Sequence, residues 1–135
     1  MTFSTSIVLH TYGQKLDYFT KVLNAIYILL SDPPSRPTGP VTFDNLTDVS
    51  VTVGYLPPED DGGSPITHYT VSVSVDFKDF IKLKDTPELN VDVENLDTDE
   101  PHVFKITASN KVGESPPLFS EQVIPESTMG RSNTG

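Results

Sequence analysis

Between Val51 and Ile66 the chain reads V-T-V-G-Y-L-P-P-E-D-D-G-G-S-P-I. Val51, Val53 and Tyr55 fall on one face and Thr52 and Gly54 on the other, and a period of two over that length predicts a half-buried strand. Pro57-Pro58 removes two backbone donors and ends the pairing. The polar turn Glu59–Pro65 then leads into a second alternating run, predicting a strand over Ile66–Val75 through Tyr69, Val71 and Val73. Similar patterns recur on either side. Val41 and Phe43 begin a first strand, with Leu46 packing near the turn that follows. Phe80–Leu83 reads as a short edge strand on which Lys82 and Lys84 discourage edge-to-edge association. Leu89, Val91 and Val93 alternate in a fifth strand, and Phe104, Ile106 and Ala108 in a sixth. A seventh runs near Phe119–Ile124. Seven short strands separated by turn signals every 8–12 residues or so predict an all-β sandwich.

The first 31 residues follow another period. Ser6 to Tyr12 reads as a short strand ending at Gly13. From Leu16, the residues Phe19, Val22, Leu23, Ile26 and Leu30 recur at helical spacing, which predicts a short amphipathic helix. A membrane or partner-binding helix is one reading of it. A leader outside the domain is the other and is preferred; Val22–Leu30 is not read as a signal segment, because it begins too far from Met1 and Asp17 and Lys21 precede it without a basic flank. Asp32-Pro33-Pro34-Ser35-Arg36-Pro37-Thr38-Gly39-Pro40 reads as a proline-rich linker in extended, semi-rigid conformation. The expected organisation is therefore a leader over 1–31, a linker over 32–40, a sandwich domain over 41–125 and a disordered polar tail over 126–135.

Composition narrows the picture. The chain has 135 residues, 12 prolines and 8 glycines, which favours short strands and many turns within one modest core. It contains no cysteine, so no disulfide framework, thiolate nucleophile or thiolate metal site is available. A net charge of −10 argues against nucleic acid or an anionic membrane as main partner. No apolar run approaches the roughly 20 residues that span a bilayer.

Residues 32–125 resemble a fibronectin type III domain, an immunoglobulin-like β-sandwich. Val51, Val53, Tyr55, Leu56, Pro57 and Pro58 are similar to the family's second strand, and Leu96, His102, Phe104, Ile106, Ala108 and Asn110 to its sixth-strand spacing. The turn Glu59 to Tyr69, the proline-rich linker and the turn Asn110-Lys111-Val112-Gly113-Glu114-Ser115 resemble those of giant muscle proteins of the titin and twitchin kind. Two positions depart from the family. Tyr55 stands where the family places a core tryptophan, so apolar contact is lost and a hydroxyl needs a partner. His102 stands where the family has a corner tyrosine, whose reach the shorter imidazole cannot reproduce. The resemblance thus implies a sandwich less stable than its relatives, with His102 as a tolerated half-buried residue.

Candidate chemistry is sparse. Glu59, Asp60 and Asp61 form one acidic cluster, and Asp97, Asp99 and Glu100 another. Six carboxylates suit calcium, but the two loops belong at opposite ends of such a sandwich and neither has the spacing of a calcium-binding loop. They read as solvated loop charges. His10, His68 and His102 lack the spacing of a zinc site. No serine sits in a G-x-S-x-G turn, and the glycine-containing loops lack phosphate-cradling spacing. No catalytic, cofactor-binding or metal-ligating residue is assigned, and no cofactor is expected. Asn45-Leu46-Thr47 is a glycosylation sequon of the kind that arises easily by chance. The expected function is a non-enzymatic structural or protein-interaction module, a mechanical spacer or docking domain working with other proteins or neighbouring tandem domains in the cytoplasm of muscle-type cells. An adhesion or ligand-binding module of a cell-surface receptor is the alternative.

Overall fold

A computed structural model describes residues 12–126. Helix α1 spans Tyr12–Leu29. Seven strands follow among the described residues: β1 Thr38–Asp44, β2 Val51–Leu56, β3 His68–Ser74, β4 Ile81–Thr86, β5 Asn90–Val93, β6 Val103–Ser109 and β7 Leu118–Phe119. They form one sheet of order β1-β2-β5 and another of order β4-β3-β6-β7, with every pair antiparallel.

The alternation in the sequence becomes the inner faces of the two sheets. Val51, Val53 and Tyr55 of β2 and Val91 and Val93 of β5 are buried on one sheet. Tyr69 and Val71 of β3 and Phe104, Ile106 and Ala108 of β6 are buried on the other. The β3–β6 register sets Tyr69 opposite Ala108, Val71 opposite Ile106 and Val73 opposite Phe104. Cross-strand pairs of this kind stabilise a sheet pairwise. Phe43 reaches across from β1 to Phe104, with ring centroids 5.9 Å apart. Gly54 lies on the other face of β2, where an added Cβ would stand 2.5 Å from Thr42 Oγ1.

Several boundaries differ from the sequence reading. Tyr12 and Gly13 are helical, so the expected strand over Ser6–Tyr12 does not reach its stated end; residues 6–11 lie outside the described residues. The helix itself appears where the 3.6-residue spacing put it, and Phe19, Leu23 and Ile26 on it are half exposed. No helix among the described residues is long and apolar enough to cross a membrane. Strand β4 does lie at a sheet edge but runs on to Thr86, because Tyr69, Thr70 and Val71 continue to offer it partners. The seventh strand is shorter than expected. After Phe119 the pairing breaks into separate contacts, with Ser120 N–H donating to Phe104 O and Val123 pairing with His102. Leu46 is 48 % exposed, since the turn closed by Thr47 N–H donating to Ser50 O projects away from the core. Most of the expected tail lies outside the described residues.

The proline-rich segment does not run as a free spacer. Thr38, Gly39 and Pro40 belong to β1, with a cis peptide at Gly39–Pro40. Upstream, Asp32 N–H donates to Gly62 O at 2.8 Å and Ser35 N–H to Asp60 O at 2.9 Å. The prolines leave few amides in this stretch, and two of those remaining bond across to the loop after β2.

Candidate functional site

The best-built polar arrangement lies where the chain enters the sandwich. Asn110, just after β6, is 7 % exposed, and its side chain carries five hydrogen bonds. Its Nδ2 donates to Asp32 O and Asp61 O, each at 2.8 Å, and to Ser64 O at 3.5 Å. Its Oδ1 accepts from the amides of Val112 at 2.8 Å and Gly113 at 3.1 Å. One buried side chain therefore joins the leading segment, the loop after β2 and the turn after β6. Gly62 makes that approach feasible: its φ is +78°, and a Cβ there would lie 2.0 Å from Asp32 O. Only glycine adopts that backbone so close to another segment of the chain without strain.

The acidic cluster in this loop serves the turn. Asp60 Oδ1 accepts from Gly62 N–H and Asp61 Oδ1 from Gly63 N–H, each at 2.8 Å. Asp60 and Asp61 thus fold the loop through local side-chain-to-backbone bonds. The second cluster lies at the other end, as the β2–β5 register requires: Val51 faces Val93 while Gly54 faces Asn90. There Asp99 N–H donates to Pro125 O and Thr98 Oγ1 donates to Asp48 O at 2.7 Å. The topology therefore keeps the two clusters apart. No group of three or more His, Asp or Glu side chains among the described residues is placed to hold a metal.

The histidines are likewise separate. His10 lies outside the described residues. His68 opposes Ser109 at one end of β6, and its Nδ1 stands 3.0 Å from Thr67 Oγ1. His102 lies at the other end of β6. It is 2 % exposed, fully buried where the sequence suggested half-burial, and Val123 N–H and O pair with its backbone at 2.9 and 2.8 Å. Its Nδ1 has no hydrogen-bond partner among the described residues.

Tyr55 answers the need that its hydroxyl raised. Its Oη donates to Glu88 O at 2.8 Å, and its ring packs against Tyr69 with centroids 5.2 Å apart. Burial, then the neighbouring Tyr69 and Glu88, push the Tyr55 phenol well above its ordinary value. Burial raises Tyr69 as well. Two exposed aspartates move the other way. Amides of Asp79 and Lys78 and the Ser74 hydroxyl hold Asp76 low, and Thr70 with Lys82 holds Asp85 low. The role of Asn110 as a junction was not legible from spacing alone, although the N-K-V-G-E-S turn marked its position.

Two antiparallel sheets packed through alternating apolar faces, with the chain entering at one end and leaving at the other, define a β-sandwich module. The chain belongs to the fibronectin type III family, whose domain profile matches residues 32–124. As such, the domain itself is a non-catalytic module. The chain is similar to the titin homolog of Caenorhabditis elegans, with 31 % identity over 79 % of this chain and 1 % of the relative. It is also similar to titin of Drosophila melanogaster, with 31 % identity over 76 % of this chain and 1 % of the relative. Among solved structures, titin kinase and its flanking domains matches with a TM-score of 0.68 and 29 % identity, covering 77 % of this chain and 19 % of that one. The chain thus spans about 1 % of the length of these curated relatives.

Proposed function

We propose that this chain is a structural and interaction module of a giant muscle-type protein, acting as a mechanical spacer and docking domain beside neighbouring modules in the sarcomere or cytoskeleton. The carrying observation is the clasp at the N-terminal end. Asn110, Gly62 and Asp60 fix Asp32 and Ser35 to the domain, so the angle at which the chain arrives is set by hydrogen bonds. At the far end Val123 and Pro125 pair with His102 and Asp99, so the chain departs from the opposite end. Modules with fixed termini at opposite ends transmit load and hold spacing when strung in series. The similarity to titin supports the setting.

Small-angle scattering of three copies joined through residues 31–126 tests the spacer role. The expected result is an extended particle with a narrow range of inter-domain angles. A compact or broadly flexible ensemble overturns it. One observation favours a receptor module instead: Asn45 of the sequon is exposed on a turn at φ +54°. A mobility shift on deglycosylation of the protein from animal cells would support that alternative.

A further inference from the structure

Strands β4 and β5 are edges of different sheets, and near them the sandwich opens into a cleft of about 380 Å³. That lies within the range of roughly 300–1,000 Å³ typical of ligand pockets. Its apolar walls include Val73, Ile81, Leu83 and Leu96. Ile81 is 68 % exposed on an edge strand whose outer side has no neighbouring strand. Its charged lining is wholly acidic: Asp76, Asp79, Glu94 and Asp97. Asp76 directs one oxygen to Ser74 Oγ and to the amides of Lys78 and Asp79. None of the four forms an ion pair among the described residues. His102 also lines the cleft, and its Nδ1 is buried without a partner among the described residues. A buried polar atom without a partner is costly and calls for an explanation.

We propose that this cleft receives an arginine side chain, flanked by aliphatic residues, from a basic segment of a partner protein. Charge complementarity selects a cation, because an anionic or wholly apolar occupant would leave carboxylates desolvated and unpaired. Arginine suits the site better than lysine. Its guanidinium is weakly hydrated, packs against aliphatic walls and presents five donors in a fixed fork. Those donors serve the carboxylates at the mouth of the cleft together. The aliphatic flanks cover Ile81 and Leu83, and the free edge of β4 offers backbone groups to an extended segment.

The inference rests on the docking part of the proposed function. Its failure leaves the spacer role, read by scattering, untouched. The isotope-labelled full chain is titrated with acetyl-Leu-Arg-Leu-amide and with its citrulline counterpart to about 10 mM, a range set by the weak affinity of small ligands. Saturable shifts are expected at Ile81, Leu83, Leu96 and His102. Binding should weaken about tenfold with citrulline and with the double variant Asp79→Asn, Asp97→Asn, each exposed and replaceable without disturbing the fold. Absence of shifts in the cleft overturns the proposal. So does equal binding of the citrulline peptide, or undiminished binding by the double variant.

Discussion

Asn110 and His102, at the two ends of the sandwich, handle their buried side-chain polar atoms in opposite ways, although Ser64 Oγ beside Asn110 also lacks a partner among the described residues. At the N-terminal end Asn110 spends both atoms of its amide on five partners and leaves three separate segments tied together. At the C-terminal end His102 is as deeply buried, yet its Nδ1 has no partner among the described residues and it borders an open, acid-lined cleft. Satisfied networks rigidify and specify a structure, whereas an unsatisfied buried group is a local weakness or a site. The first end is built to hold the chain. The second is built with room to accept something.

Asn110→Ala should break that contrast most severely. It removes a buried amide and leaves carbonyls of Asp32 and Asp61 without their donor, and we expect a loss of about 3–4 kcal/mol. Urea unfolding reads it, and faster proteolytic cleavage near Ser31 should accompany it. A loss below about 1 kcal/mol would remove Asn110 from its place as the junction.

Gly62→Ala attacks the same end through the backbone. The added Cβ both strains a φ of +78° and meets Asp32 O, and we expect a loss of about 2–3 kcal/mol, with the leading segment released. Amide exchange at Asp32 and Ser35 should rise with it. Retained protection at both amides would contradict the clasp.

At the other end the change should run in the opposite direction. His102→Tyr removes the unpartnered Nδ1 and offers a longer ring to a site bordered by open volume. A gain of about 1 kcal/mol is expected, a rise in Tm of roughly 4–8 °C for a domain of this size. An unchanged or lower Tm would show that His102 fits its place as well as a tyrosine does.

Tyr55→Phe sharpens the comparison with the smallest effect. Loss of the bond to Glu88 O should cost about 1 kcal/mol at neutral pH. Burial raises the Tyr55 phenol above its ordinary value near 10. The folded state therefore holds this proton more tightly than the unfolded chain does. The resulting stability is complete below about pH 10 and is lost as pH rises through the folded value. Urea midpoints at pH 7 and about 11 should fall apart less in the variant than in the parent, with Tyr69 supplying the remaining slope. An identical alkaline loss in both would show that Tyr55 does not carry it.

Much of the fold was legible because strands read out with a period of two. Val51, Val53 and Tyr55, and likewise Phe104, Ile106 and Ala108, alternate in sequence and lie together in the core. The helix from Tyr12 was legible over its later turns for the same kind of reason. Its first turn was not, since a short apolar run such as Ile7 to Tyr12 suits either period. The β4 boundary was misplaced because Lys82, Lys84 and Asp85 of an exposed edge strand leave little alternation to read.

The chain by itself determined the architecture, the turn chemistry and the family, since these follow from local periodicity, from glycine and proline, and from short motifs in order. Only the tertiary structure decided that Asp32–Ser35 is clamped to the domain, that Asp60 and Asp61 fold their own turn, and that His102 is buried beside an acidic cleft. The reason is geometric. A hydrogen bond between Asn110 and Asp32 joins residues 78 positions apart, and a cleft between the edges of two sheets comes into being only when the sheets pack.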